Sequence, residues 1–209
     1  MKLYDCTTAP SPRRARMFIA EKGLDIPFVQ VDLVKGEQLD EAFRAKVPTA
    51  TVPALELDDG TVIAENLAIA WYLEKVCPNP PLMGTTPEET ARIMEWDMRA
   101  TLGGLMACAE MLRNSSPRMK GRALPGPRNY EQIPELAQRG RDRIVHFWDM
   151  LDAHLADWDY VGGERYSYGD ITSTVVVDFA GWVKASPLES HSNIAEWHGR
   201  MKARANYGA

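Results

Sequence analysis

The chain has 209 residues, of which 45% are hydrophobic, which is enough for one large or two small packed domains. Its formal net charge of −5 at pH 7 argues against nucleic acid as the main partner, because phosphate backbones need a basic face. Because no apolar run is long enough to cross a bilayer and no signal-type segment is evident, we expect no membrane partner and a cytoplasmic location.

The first elements predicted are a β-α-β unit. Residues 2–4 form a short strand, and a helix follows in which Ser11 is a natural N-cap and Pro12 takes the first helical position. Residues 27–33 alternate as a second strand, and a short helix runs from residue 38 to residue 43.

Ser11 has two interpretations at this helix start. It is either a capping serine beside solvated arginines or a hydroxyl that donates a hydrogen bond to a thiolate. In the second case the positive end of the helix, together with Arg13, Arg14 and Arg16, would favour the charged sulfur.

A β-hairpin and a helix form the centre of the sequence pattern. Residues 52–57 and 61–64 are predicted strands joined by a tight Asp-Asp-Gly turn. A helix begins directly afterwards, where Glu65 and Asn66 stand. Asn66 is either an N-cap or a donor to a carboxylate ligand held by the unpaired N–H groups of the helix start.

The second half of the chain is predicted to be helical. Residues 77–86 hold several prolines and a glycine and form a linker. Long helices are expected at residues 88–113 and 134–158. Ser167 and Asp170 then form a capping box at the start of a buried helix, which is a folding role.

No metal or nucleotide site is indicated. Cys6, Cys77 and Cys108 are widely spread, and the four histidines have no companion ligands at metal spacing. Gly-rich phosphate loops and G-x-S-x-G turns are absent. We therefore predict free thiols, no metal and no cofactor.

The pattern V-P-x-L, a hairpin, an acidic-polar pair and an A-I-x-x-Y-L-E helix resembles the glutathione transferase superfamily, with a theta-like N-terminal half of the bacterial cytosolic type. The resemblance implies an α/β thioredoxin-like N-terminal domain followed by an all-α helical C-terminal domain. Together with the proline-rich linker, this predicts a division into residues 1–78 for the glutathione-binding domain, 79–87 for a linker and 88–209 for the helical domain.

The resemblance also assigns glutathione-binding residues. Val52 matches the residue whose backbone groups receive the cysteinyl part, and Pro53 matches a cis proline. Glu65 and Asn66 match the pair that receives the γ-glutamyl end, although the family usually has serine at the second position. Gln38 matches a contact of the glycine end.

Thr51 stands where relatives often have a lysine for the glycyl carboxylate, so Lys35, Lys46 or Arg44 is the expected substitute for that charge.

The catalytic position implied by the resemblance is Ser11. A theta-type alignment would put Pro10 in the serine's place, so Thr7, Thr8 and Cys6 stay as alternatives. Tyr4 is a weaker one because it lies inside a strand.

The expected function is a glutathione S-transferase that conjugates the glutathione thiolate to a small hydrophobic electrophile, as a homodimer and with glutathione as substrate, not cofactor. The alternatives are a glutathione-dependent peroxidase, isomerase or lyase, and a non-catalytic transferase-like binding or regulatory protein.

Overall fold

The computed structural model describes all 209 residues and divides them into two compact units. The first unit comprises Met1–Pro80, Leu124–Asn129 and Ala209, and the second comprises Pro81–Ala123 and Tyr130–Gly208. The boundary between residues 80 and 81 lies within the linker predicted from the prolines. The domain division drawn from the sequence stays a prediction.

The first unit is a four-stranded mixed sheet with helices. Its elements are β1 (Lys2–Asp5), α1 (Pro10–Glu21), β2 (Phe28–Gln30), a 3-10 turn (Glu37–Leu39), α2 (Glu41–Lys46), β3 (Ala54–Glu56), β4 (Val62–Ala64) and α3 (Asn66–Val76). The strand order is β2-β1-β3-β4, with β1 parallel to β2 and antiparallel to β3. This arrangement confirms the α/β part of the predicted fold class.

Alternation along β1 explains how the sheet is covered on both faces. Leu3 is fully buried on one side, whereas Tyr4 belongs to an apolar cluster on the other side with Val47, Val52 and Ala54. Phe43 of α2 packs against that cluster, with its ring edge-on to Tyr4 at 5.6 Å. Successive residues of β1 therefore anchor the two layers of the unit.

A buried ion pair joins α1 to α3. Lys22 Nζ lies 2.6 Å from Glu74 Oε2 and also donates to the carbonyl oxygen of Pro80 at 2.6 Å. Buried charges need such partners, because an unpaired ammonium away from water is very costly. The pair fixes the end of α1 beside the last turn of α3.

The start of α1 corrects the sequence prediction. Pro10 is the first helical residue and Ala9 is the N-cap, without a side-chain hydrogen bond. Pro10 takes the position that was assigned to Pro12, because its missing N–H leaves nothing unpaired there. Ser11 therefore lies inside the first turn, and its predicted capping role was wrong.

A segment that is distant in sequence completes the first unit. Leu124–Asn129 belongs to this unit although the residues on either side of it belong to the other. Within the segment, Gly126 has a φ of +113°, and a Cβ atom there would lie 3.6 Å from the carbonyl oxygen of Thr49. Positive φ is readily adopted only by glycine, so Gly126 allows the backbone conformation that places the segment beside Thr49.

The second unit is entirely helical apart from isolated bridges. Its elements are α4 (Pro87–Arg99), a π-helical segment (Ala100–Leu105), α5 (Met106–Ser115), a 3-10 turn (Pro117–Met119), α6 (Pro134–Leu155), α7 (Tyr168–Trp182) and α8 (Ser192–Lys202). The all-α part of the predicted fold class is thus confirmed. None of these helices, nor those of the first unit, has the length and apolar character needed to cross a membrane.

The π-helical segment was not foreseen in the helix predicted for residues 88–113. Gly103 and Gly104 lie in it, and a Cβ on Gly104 would approach Val176 to 2.5 Å and Phe147 to 3.1 Å. The two glycines have weak helix propensity and allow close packing against α7 and α6. Arg143 donates to the carbonyl oxygen of Leu102, which stabilises the irregular turn.

The capping box predicted at the start of α7 is confirmed. Ser167 and Asp170 bond each other's backbone as the motif requires. Asp170 is fully buried and also accepts from the N–H of Val161 and from the indole N–H of Trp197, both at 2.9 Å. This carboxylate therefore joins the loop before α7 to α8.

Candidate functional site

The hydroxyl of Ser11 is held by two donors within the first unit. Asn66 Nδ2 donates to it at 2.9 Å and Arg14 Nη2 at 3.3 Å. A hydroxyl has two acceptor lone pairs and one hydrogen, so both lone pairs are occupied and the hydrogen remains for donation. The structure thus brings together Ser11 and Asn66, which are far apart in sequence, at the start of α1 and α3.

Asn66 is not an N-cap, which removes that interpretation. It is the first residue of α3, and Glu65 occupies the N-cap position. Its side chain is buried, with one amide hydrogen directed to Ser11 and with the Oδ1 atom lacking any partner in the chain. Buried polar atoms are almost always paired, so an unpartnered amide oxygen indicates a place for a ligand donor.

Glu65 has a backbone conformation that residues with a Cβ rarely adopt. Its φ is +70°, and its exposed carboxylate makes no hydrogen bond within the chain. Strain of this kind costs about 1–3 kcal/mol and concentrates at functional sites. The unpaired N–H groups of the first turn of α3 begin directly after it, so a carboxylate and an anion-binding helix start are adjacent.

Val52 and Pro53 enter β3 through a cis peptide bond, as the resemblance implied. Neither the N–H nor the C=O of Val52 takes part in a hydrogen bond of the chain. The Thr51 hydroxyl lies 2.9 Å from that of Thr49. Val52 therefore presents an unpaired donor and acceptor two residues before β3 begins.

Gln38 lies in the 3-10 turn Glu37–Leu39 and is buried. Its Oε1 atom is buried and has no partner. It is the second amide in this unit with an unpartnered buried oxygen, after Asn66.

The loop after β1 is fixed by a network that the sequence did not indicate. Arg16 pairs with the buried Asp5 at 2.6 Å and donates to the carbonyl oxygens of Cys6 and Thr7. Gln30 donates to Asp5 at 2.6 Å and accepts from the N–H and hydroxyl of Thr7. The only sequence signal was a charged residue at the end of a buried strand.

This network corrects the electrostatic expectation for the three arginines. The charge of Arg16 is compensated by Asp5, and Arg14 is the arginine that reaches Ser11. It also removes Thr7 from the candidates for thiol activation, since its hydroxyl donates to Gln30 at 2.8 Å.

Of the remaining alternatives, Tyr4 is engaged elsewhere. Its hydroxyl donates to Glu56 at 2.5 Å and accepts from Lys46 at 3.2 Å. Glu56 also accepts from Lys46 and Lys2, and these three bonds, that of Tyr4 first, lower the pKa of Glu56 to about 2. Cys6 and Thr8 contact each other, with 3.5 Å between sulfur and hydroxyl oxygen.

The three cations proposed to replace the lysine missing at Thr51 differ in availability. Lys46 pairs with Glu56 at 2.9 Å, and Lys35 pairs with Asp32 at 3.1 Å. Arg44, in the last turn of α2, is exposed and has no partner in the chain. Arg44 is therefore the cation that remains available.

Neither unit brings together three His, Cys, Asp or Glu side chains that could hold a metal ion. Cys6, Cys77 and Cys108 are all free thiols. Burial raises the pKa of the Cys108 thiol to about 12, which makes it an inert core residue.

Comparison with known proteins agrees with this geometry. Residues 8–76 match the family model for the N-terminal domain of glutathione S-transferase, and residues 134–200 match the model for its C-terminal domain. Glutathione S-transferase 2 of Saccharomyces cerevisiae is 35% identical over 207 residues, covering 98% of this chain and 86% of that protein. Maleylacetoacetate isomerase of Pseudomonas aeruginosa is 38% identical over 94 residues, or 44% of each chain.

Solved structures show the same relationship. A glutathione S-transferase domain-containing protein of Marinobacter aquaeolei superimposes with a TM-score of 0.92 at 33% identity, covering 99% of this chain and all of that one. Gtt2 of Saccharomyces cerevisiae superimposes with a TM-score of 0.91 at 34% identity, covering 99% and 98%. With both domain models matched and a relative of this identity aligned along nearly the whole chain, the protein belongs to the glutathione S-transferase family.

Proposed function

We propose that the chain binds glutathione in its first unit and transfers the glutathione thiolate to a small hydrophobic electrophile. The observation that carries this proposal is the Ser11 hydroxyl, whose oxygen accepts from Asn66 and Arg14 and whose hydrogen remains to be donated. A donor aimed at the sulfur favours the thiolate over the thiol, and the thiolate is the nucleophile.

The γ-glutamyl end is assigned to the start of α3. The Glu65 carboxylate, which has no partner, receives the ammonium, and the N–H groups of the first turn receive the carboxylate. The Oδ1 atom of Asn66 supplies a further acceptor. The backbone of Val52, next to the cis Pro53, receives the cysteinyl part.

The glycine end is assigned to Gln38, with Thr51 beside it and Arg44 as the charged partner. The buried Oε1 of Gln38 gains a donor in the glycyl N–H, and Arg44 is the cation without a carboxylate of its own. This assignment gives each of the three residues of glutathione its own partners.

Calorimetric titration with glutathione tests the assignment. A charge-assisted hydrogen bond contributes about 1.5–3 kcal/mol, so Glu65→Ala should weaken glutathione binding roughly ten- to hundredfold, and Asn66→Ala should also weaken it. Glu88→Ala is the matched control, because Glu88 is an exposed glutamate in the first turn of α4 in the other unit. Equal affinity of wild type and both site variants for glutathione would contradict the assignment.

Conjugation of glutathione to a generic aryl halide separates transferase from binding protein. Retention on immobilised glutathione together with conjugation supports the transferase. Retention without conjugation supports a non-catalytic binding or regulatory role, or a peroxidase or lyase. The match to maleylacetoacetate isomerase favours an isomerase as the second candidate. A glutathione-dependent cis-trans isomerisation assay with an unsaturated dicarboxylate distinguishes the isomerase from the transferase.

We also propose a homodimer. Exposed apolar side chains lie on α3, with Trp71 41% and Val76 51% exposed, and on the α4 helix and the π-helical segment, with Met98 44% and Leu102 53% exposed. Two such surfaces would bury each other in a symmetric dimer that pairs the hairpin-helix end of one subunit with the long helices of the other. Light scattering at micromolar concentration should give twice the chain mass; a monomer mass contradicts the dimer.

The proposed compartment is the cytoplasm, where thiols are kept reduced, because all three cysteines are free and two of them are buried.

A further inference from the structure

The second unit contains a cavity of about 200 Å³. None of the residues that line it is among the glutathione-binding residues assigned above. Its walls are the start of α4 and the loop between α6 and α7, and they include Thr85, Glu89, Arg92, Trp158, Arg165 and Tyr166. Drug-sized ligands use about 300–1,000 Å³, so the cavity suits a smaller molecule than glutathione.

The charges on the cavity wall are unequally satisfied. Arg165 pairs with Glu89 at 2.7 Å, and the same glutamate accepts from the N–H and the hydroxyl of Thr85, both at 2.7 Å. These bonds, the backbone one first, lower the pKa of Glu89 to about 2. Glu89 thus accepts three hydrogen bonds, and Arg165 compensates its charge.

Arg92 is the exception. It is half-buried on the cavity wall, its guanidinium lies 4.8 Å from the ring centre of Trp158, and it has no carboxylate partner. The fourth charged group of the wall, Glu164, is exposed to solvent and also unpaired. A half-desolvated arginine gains more from an oxyanion than a hydrated one, and its planar fork donates two parallel hydrogen bonds to a carboxylate.

The shape of the loop keeps the guanidinium accessible. Gly163 has a φ of +131°, and a Cβ there would lie 3.3 Å from Nη1 of Arg92. A side chain at this position would displace the guanidinium slightly and would be strained by the positive φ. Aromatic rings lie on the same wall, since Trp158 and Tyr166 both line the cavity.

We propose that this cavity is a binding site for a small aromatic carboxylate, with Arg92 pairing with the carboxylate and Trp158 and Tyr166 contacting the ring. The size of the cavity, the unpaired half-buried arginine and the two aromatic side chains each favour this ligand class over an inorganic anion. All residues that line the cavity belong to the second unit, whereas the glutathione residues assigned above belong to the first, so the proposal does not depend on that assignment.

Calorimetry with benzoate on the full chain tests the proposal, with benzamide and inorganic phosphate as comparison ligands. Benzoate should bind saturably, at least tenfold more tightly than either of them, and saturating glutathione should leave its affinity unchanged. Benzoate binding that glutathione abolishes, or affinity equal to that of benzamide or of phosphate, would overturn the site. Absence of saturable binding would overturn it as well.

Two variants at Arg92 and one control locate the ligand. Arg92→Gln should weaken benzoate binding at least tenfold, and Arg92→Lys should weaken it less, because charge is kept and the bidentate fork is lost. Arg99→Gln is the control: Arg99 lies on the same helix and over Trp96 at 5.1 Å, outside the cavity. Its affinity should equal that of wild type. Equal binding by wild type and both Arg92 variants, each with an unchanged melting temperature, refutes the assignment.

Discussion

Replacing Ser11 by alanine should raise the pKa of the bound glutathione thiol. The hydroxyl oxygen accepts from Asn66 at 2.9 Å and from Arg14 at 3.3 Å, so only its hydrogen is left to face a ligand. A hydrogen bond to a charged group contributes about 1.5–3 kcal/mol, and one pKa unit corresponds to about 1.4 kcal/mol. Loss of the hydroxyl should therefore raise the thiol pKa by roughly one to two units.

Asn66→Ala should also raise the pKa of the bound thiol, but by less than Ser11→Ala does. This change leaves the hydroxyl in place and removes one neutral hydrogen bond that orients it, which contributes about 0.5–1.5 kcal/mol. The expected rise is at most about one unit. Thr7→Ala is the control. Because the Thr7 hydroxyl already donates to Gln30 at 2.8 Å, this variant should leave the thiol pKa unchanged.

Ultraviolet absorbance of the thiolate, followed against pH in the saturated glutathione complex, measures all three values. If the titration of Ser11→Ala coincides with that of wild type, the hydroxyl does not contact the sulfur and the reasoning fails. Thr8→Ala then becomes the next variant to titrate, because Thr8 and Cys6 are the other polar groups of this loop that are not committed to distant partners.

Three further predictions concern the helical unit. Gly104→Ala should destabilise by about 1–3 kcal/mol through its clash with Val176, whereas Gly199→Ala, where the added Cβ meets nothing within 4 Å, should stabilise by about 0.5–1 kcal/mol in urea unfolding. Asp170→Ala leaves several buried donors unpaired at about 1–3 kcal/mol each, so the variant should lose most of its stability and melt far below wild type. Burial lowers the pKa of His154 below 6.5, so the folded state binds this proton less tightly than the unfolded chain. Stability should therefore fall as pH drops below about 6.5 in wild type and fall less in His154→Gln, as measured by melting temperature against pH; parallel curves would contradict this.

Local patterns in the sequence were sufficient to predict the hairpin, the capping box of α7 and the sequence of a mixed α/β half followed by a helical half. Each depends on residues close in sequence: the Asp-Asp-Gly turn, the serine three positions before Asp170, and the apolar periodicity of the long helices. Ser167 and Asp170 made the expected reciprocal bonds for that reason. The start of α1 was misassigned because two prolines, Pro10 and Pro12, both suit a first helical turn.

Contacts between distant residues were not predictable from spacing. The pairing of Asp5 with Arg16 and Gln30 requires β1, α1 and β2 to be assembled, and so does the removal of Thr7 from the candidates. The bond from Asn66 to Ser11 spans 55 positions of sequence. The weak helix propensity of Gly103 and Gly104 did not by itself indicate a π-helical turn, and the close packing of Val176 and Phe147 against Gly104 became visible only in the assembled fold.

The segment Leu124–Asn129 has a consequence for how the chain is made and cut. Domains generally fold as units while they emerge from the ribosome, but here the sheet is complete by residue 80 and a further segment of its unit follows α5. During synthesis, the backbone at Thr49 therefore stays uncovered until Gly126 has been added to the chain. A truncated chain that ends at residue 80 lacks the segment Leu124–Asn129 altogether. Protease should therefore cut it near Thr49 more readily than it cuts the full chain.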